Sequence, residues 1–116
     1  MRDHKKLRAF HLADELALAV YQASRAFPRD EMMGLTSQIR RAAVSVPSNI
    51  VEGCGRRSQA DYLRFLDMAF GSLRELEYQL SLAHRLGYLG KSVSDTLQGR
   101  CQETTKVLAG LMMALR

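Results

Sequence analysis

Tryptophan is absent from this 116-residue chain, and proline and cysteine occur only twice each. An all-β domain needs many turns, and two prolines with eight glycines supply few of them. The composition therefore favours long helices over sheets. Cys54 and Cys101 stand far apart and outside any Cys-x-x-Cys pair. That excludes a disulfide framework and a cysteine zinc site, and points to a reduced, cytoplasmic protein. Long apolar runs are also missing: Leu16 to Val20 and Val107 to Leu115 fall well short of the roughly 20 residues of a membrane span. No apolar h-region follows the basic opening Met1-Arg2-Asp3-His4-Lys5-Lys6, so no secretory signal is expected.

Apolar residues at helical spacing are plentiful, and they mark four segments. In the first, about 8–26, Phe10, Ala13, Ala17, Val20, Ser24 and Phe27 share one face, and Pro28 stops the helix because it restricts the residue before it and lacks an amide donor. The second, about 30–53, carries Leu35, Ile39, Ala42, Val46, Ile50 and Gly53 on one stripe and Gln38, Arg41, Ser45, Ser48 and Glu52 on another. Asp30 or Thr36 can cap it, and Pro47 should bend it, with Asn49 and Ser45 placed to satisfy the carbonyl that Pro47 frees. The polar stripe suits a second contact, between subunits.

The third segment, about 58–86, opens on Ser58 with Asp61 three residues later, a capping box. Tyr62, Phe65, Ala69, Leu73, Leu76, Leu80 and Ala83 form its buried face. Gly71-Ser72 offers small residues for a close helix approach, and Gly87 reads as the terminating glycine with Tyr88 folding back on the last turn. The fourth, about 92–115, starts near Ser92 or Ser94, and Leu97, Cys101, Thr104, Leu108, Leu111 and Leu115 alternate four and three like a bundle seam. Long helices with short connections predict an all-α, antiparallel up-down-up-down four-helix bundle in a single domain over residues 1–116.

No catalytic constellation accompanies this fold. Di-iron bundles need Glu-x-x-His pairs, and none of His4, His11 and His84 follows a glutamate by three. His11 with Asp14 or Glu15 is a weak triplet, better read as a solvated first turn, and His84 lies beside the apolar face of the third helix as a partly buried histidine. Gly53-Cys54-Gly55 is too short for a phosphate loop and precedes no Lys-Ser/Thr. Cys101 sits at a seam position as a core residue. Cys54 stands just before Arg56 and Arg57, which would lower its pKa, but no base lies nearby in sequence. The expectation is a protein that is not an enzyme and holds no cofactor or metal.

Charge is the remaining signal. The chain carries +5 overall, an ordinary solubility charge that also admits polyanions. It is uneven: residues 1–8 carry Arg2, Lys5, Lys6 and Arg8 against Asp3, and residues 38–64 carry Arg40, Arg41, Arg56, Arg57 and Arg64 against Glu52 and Asp61, each a net of +3. The candidate nucleic-acid-binding residues are therefore Lys5, Lys6, Arg8, Arg40, Arg41, Arg56, Arg57 and Arg64, the arginines offering forked donors to phosphate. No base-reading element stands out, so RNA or DNA would be bound by charge and shape. The alternative is a solvated face on a protein-interaction scaffold, with Met112 and Met113 as an adaptable surface.

One stretch is more specific. Phe27-Pro28-x-x-Glu31, then Gly34-Leu35-Thr36-Ser37-Gln38-Ile39-Arg40-Arg41-Ala42-Ala43-Val44-Ser45-Val46-Pro47-Ser48-Asn49-Ile50, with Glu52-Gly53 and Arg56 following, resembles the four-helix-bundle proteins encoded by intervening sequences of bacterial 23S rRNA genes. Tyr62-x-x-Phe65-Leu66-x-x-Ala69, Gly71-Ser72-Leu73-x-Glu75-Leu76-Glu77 and Leu86-Gly87-Tyr88-Leu89 extend the likeness. The resemblance implies a ring-shaped homopentamer without established catalytic activity. It also implies kinship with accessory proteins of diversity-generating retroelements, whose basic surface is thought to bind nucleic acid and a reverse transcriptase.

Overall fold

In the computed structural model, which describes residues 2–116, the three-four spacings become α1 (Arg8–Ser24), α2 (Leu35–Cys54), α3 (Gln59–Arg85) and α4 (Lys91–Leu115). Short 3-10 turns, His4–Lys6 and Arg29–Glu31, precede α1 and α2. α1 packs on α2 and α4, and α3 packs on the same two, so the helices occupy the corners of a square in chain order. Ser45 meets Ser72 while Gly53 lies against Tyr62 and Phe65, and Gln98 meets Glu77 while Cys101 meets Leu73, so numbering runs in opposite senses along each pair and the neighbours are antiparallel. The architecture is the up-down-up-down four-helix bundle. The 27 residues of α3, at about 1.5 Å each, account for most of the 43 Å long axis.

The predicted stripes form one core. Ile39, Val46, Ile50, Leu73, Leu76, Leu80 and Leu108 are fully enclosed, and so are Leu16 and Leu66, which the spacing argument had not placed there. Phe10 is only half-buried. Met112 is also in the core, against expectation, because it stands one turn past Leu108 and takes the inward place predicted for Leu111, which, like Leu115, is only partly buried; Met113 is exposed. Cys101 is buried as expected, its thiol 3.5 Å from the Leu73 carbonyl and raised by burial to a pKa of about 11.

The helix ends follow local chemistry that is partly visible in the sequence. Ser58 Oγ accepts the Asp61 amide at 3.1 Å, as expected. Gly87, at φ +83°, closes α3: its amide reaches the His84 carbonyl and that of Tyr88 reaches the Ala83 carbonyl, both at 2.9 Å. The Tyr88 ring, however, leaves α3 to pack 5.5 Å from the Phe27 ring and donate a 2.8 Å hydrogen bond to Glu31 Oε2. α4 starts at Lys91 on a Gly90 cap, ahead of Ser92 and Ser94.

α2 starts five residues later than its pattern suggests, because residues 29–31 turn as a 3-10 segment and Gly34 is non-helical. Neither Asp30 nor Thr36 caps it. Glu31 does, its Oε1 accepting the Leu35 amide at 3.1 Å, while the Thr36 hydroxyl is buried without a partner. A Cβ at Gly34 would meet that Glu31 oxygen at 2.6 Å, so glycine leaves room for the cap. The Leu35 amide and then the Tyr88 hydroxyl hold the Glu31 carboxyl below its ordinary pKa. A depressed native pKa contributes stability above the unfolded value, lost as pH falls through the native one. Glu31→Gln should therefore lower Tm at neutral pH and lose less than wild type on acidification below 4.5; parallel Tm–pH curves would contradict this.

Further along α2, the helix runs through Pro47 without interruption. The Asn49 amide donates to the Ser45 carbonyl at 2.8 Å and to Ser45 Oγ at 2.9 Å. The pairing expected of Asn49 and Ser45 exists, but on a carbonyl other than Ala43, the one facing Pro47 in an i to i−4 ladder. Gly53 marks the closest approach of α2 to α3: a Cβ there would sit 2.9 Å from Phe65 Cβ and 3.2 Å from the Tyr62 ring. Gly53→Ala should cost about 1–2 kcal/mol, overpacking outweighing the helical preference for Ala. Gly71→Ala, where nothing lies within 4 Å, should instead stabilise by about 0.5–1 kcal/mol. Denaturant melts of the two variants check the contrast, and equal effects would contradict it.

Candidate nucleic-acid interface

The bundle end where α2 exits and α3 begins gathers Arg2, Arg56, Arg57 and Arg64, with Lys5 and Lys6 on the arm beside it. Ser58 and Gly55 force a tight connection there, so Arg56 and Arg57 project beside the first turns of α3. The Arg56 guanidinium lies 4.5 Å from the centre of the Phe65 ring, and that of Arg64 lies 4.7 Å from the same ring. Arg2 lies 4.0 Å over the adjacent Tyr62 ring and donates to the Arg56 carbonyl at 3.4 Å. Buried aromatics thus serve as platforms that orient exposed charge, a favourable pairing of cation and ring face.

The other candidates divide into three groups. Lys5 and Lys6 are exposed on the 3-10 turn of the arm leading to α1, and neither forms an ion pair among the described residues. Arg57 and Arg41 are exposed and also unpaired there. Arg56, Arg64 and Arg8 are ion-paired: to Glu52 at 3.2 Å, Asp61 at 3.0 Å and Glu103 at 3.1 Å. Exposed pairs like these are worth about 0–1 kcal/mol, so a phosphate can compete for them.

Arg40 departs from expectation. Its Nε donates to Ser24 Oγ at 2.8 Å and its guanidinium lies 4.8 Å over the Tyr21 ring, so it ties α2 to α1. Arg40 and Arg41 also sit apart from the cluster, since Cys54 lies 13 positions after Arg41 along α2, a rise of about 20 Å. Sequence proximity had merged what the helix separates. Arg41 instead lines a cleft of about 370 Å³ between α2 and α3 with Gln38, Ser45, Ser72 and Glu75. The first part of the polar stripe of α2, Gln38, Arg41 and Ser45, therefore faces this cleft, the Ser45 hydroxyl 2.9 Å from that of Ser72, whereas Ser48 turns toward α1.

Arg2 was counted only in the charge of the arm; its position over Tyr62, on an element 60 residues away, carries no signature in the sequence.

Catalytic chemistry finds little support in the geometry. Cys54 is 2 % exposed, and burial raises its thiol pKa against the smaller opposing effects of a Tyr62 hydrogen bond and Arg2. Arg56 and Arg57 do not activate it: Arg56 lies over the Phe65 ring and Arg57 is exposed, and the arginine that bears on the thiol is Arg2. Tyr62 is pushed up to about 12, chiefly by the same burial. His11 is exposed with Nε2 2.6 Å from the Lys5 carbonyl. His84 is exposed rather than partly buried, Nδ1 lying 2.9 Å from the Leu89 carbonyl. No group of three His, Cys, Asp or Glu among the described residues could hold a metal ion, and no described helix is long and apolar enough to cross a membrane.

On the opposite flank of α2 runs an apolar groove of about 480 Å³, shared with α1. It is lined by Phe10, Ala17, Leu18, Tyr21, Val44, Pro47 and Val51 together with Asp14 and Ser48. Leu18 is 59 % exposed and Tyr21, Val44 and Val51 about 40 %, a contiguous patch of the kind that marks contact surfaces.

Comparisons with known proteins agree with this architecture. The model of the family described as 23S rRNA-intervening sequence protein matches residues 5–110. A crystal structure from Bacteroides thetaiotaomicron, described as a protein with unknown function from the S23 ribosomal protein family, superposes with a TM-score of 0.81. It is 23 % identical, with 90 % of this chain and 97 % of that one covered, a likeness of fold. No curated protein matches the chain. By the extent of the family match, nearly the whole chain, this protein belongs to the 23S rRNA-intervening sequence protein family.

Proposed function

We propose that the protein is a non-enzymatic, self-associating bundle that binds RNA or DNA through the basic end formed by the arm and the α2–α3 junction. The observation that carries this is the convergence of Arg2, Arg56 and Arg64 on the Tyr62 and Phe65 rings, with Arg57 exposed beside them. Among the described residues, Glu52 and Asp61 alone oppose them in ion pairs there. Arginine forks suit phosphate oxygens, and the buried rings leave no exposed stacking platform, so recognition rests on backbone charge. The buried, unactivated Cys54 supports the non-enzymatic part of the reading. Two buried free thiols suit a reducing cytoplasm.

Self-association is the second element of the proposal, and the α1–α2 groove is its surface. A homopentamer would bring together five times the +5 of one chain, and linked weak sites gain effective concentration. A short labelled RNA and a DNA of equal length should both bind submicromolarly at low salt; absence of binding contradicts the proposal.

The same groove favours a second reading, a polypeptide partner such as a reverse transcriptase. Pull-down from nuclease-treated extract separates the two. Partners bridged by nucleic acid are expected to be lost, and a protein retained after nuclease would favour the second reading.

A further inference from the structure

The arm that carries the free charges is also a cover. The Arg2 amide donates to the Cys54 carbonyl at 3.2 Å, its guanidinium lies on the Tyr62 ring and reaches the Arg56 carbonyl. Beneath it Cys54 is 2 % exposed and Tyr62 is equally buried. From there the arm runs back to α1. Asp3 Oδ1 accepts the Lys5 amide at 3.0 Å, His4 packs edge-on to Phe10 at 4.7 Å, and the Lys5 carbonyl meets His11.

The two ends of this strap are held differently. At the α1 end the contacts are local in sequence. Over Cys54 the hold is a ring contact and hydrogen bonds to neutral carbonyls, and Arg2 has no carboxylate partner among the described residues. A phosphate offers that guanidinium charge-assisted, bidentate hydrogen bonds, roughly twice as strong as neutral ones. Contact with Tyr62 and contact with phosphate therefore compete for the same side chain.

We infer that residues 2–7 form a strap released by polyanions: phosphate draws Arg2 off Tyr62, and the buried Cys54 beneath it becomes accessible to solvent. The inference rests on the nucleic-acid reading above, since it needs a polyanion at the basic end. Opening is local. Cys101, 0 % exposed in the middle of the bundle, stays covered and serves as an internal reference.

Thiol labelling with a chromogenic disulfide, resolved by cysteine through mass spectrometry, tests it. In the free protein both cysteines should react slowly. A saturating short RNA, its binding verified by anisotropy in the same samples, should speed Cys54 about tenfold and leave Cys101 unchanged. Arg2→Ala should give the same acceleration without RNA, and further RNA should then add little. Bound RNA that leaves Cys54 unchanged or protects it would overturn the strap while sparing the binding proposal. Acceleration of Cys101 in step with Cys54 would also overturn it, since the whole bundle would then be opening. Absence of RNA binding contradicts the nucleic-acid reading, and the Arg2→Ala arm still decides whether Arg2 holds the cover: an unchanged Cys54 rate overturns it.

Discussion

Replacing Arg56 and Arg57 together by Glu is expected to weaken RNA binding about 100-fold at low salt and to flatten the salt dependence by about two units of slope. Each arginine that contacts a phosphate releases roughly one counterion, and reversal of its charge adds repulsion. The fold should survive. Arg57 is exposed, and the Arg56 pair with Glu52 is solvent-accessible, so the stability loss should stay within about 1 kcal/mol. Arg100 and Lys106, exposed on α4 and unpaired among the described residues, make a matched control. Reversing them changes net charge identically but should cost little affinity. Equal losses in both variants would mean that total charge, and not the α2–α3 junction, governs binding.

The second large effect concerns assembly. Leu18→Glu combined with Val44→Glu should convert the assembly to a 13.1 kDa monomer in sedimentation at micromolar concentration. In the isolated chain both side chains are substantially exposed, so folding should change by no more than about 0.5 kcal/mol per site. In an interface, each would be an apolar anchor worth about 1.5–3 kcal/mol, replaced by a charge with no partner. An assembly of unchanged mass would exclude the groove as the contact surface. A wild-type chain that sediments as a monomer would contradict self-association itself. Loss of assembly should also lower RNA affinity, because the sites on neighbouring copies no longer act together.

The helices were legible because burial on one face repeats every three or four residues, and Leu35, Ile39, Ala42, Val46 and Ile50 obey that rhythm without exception. Gly87 and Ser58 were legible because their chemistry is local. The start of α2 was not. Glu31 caps it while held by Tyr88, 57 residues away, and no local pattern announces that partner. The basic end shows the same division. That arginines crowd residues 38–64 is plain in the sequence, yet the commitment of Arg40 to Ser24 and Tyr21, and the recruitment of Arg2 onto Tyr62, depend on which helix lies alongside. Cys54 illustrates the hazard in the opposite direction. Adjacent arginines suggested an activated thiol, but burial raises its pKa, and desolvation outweighs the opposing charge, which comes from Arg2 and not from Arg56 or Arg57.

The central claim is that the basic end binds nucleic-acid phosphates by charge, and its most direct test is the dependence of affinity on salt. Titrating a short RNA against the wild-type protein between about 50 and 200 mM salt should give a linear fall of log K with log salt, steeper than about −3, as expected if Arg2, Lys5, Lys6, Arg56, Arg57 and Arg64 all take part. Submicromolar binding at the low end should be largely gone at the high end. An affinity that does not change with salt, or no binding at any salt, would contradict the account.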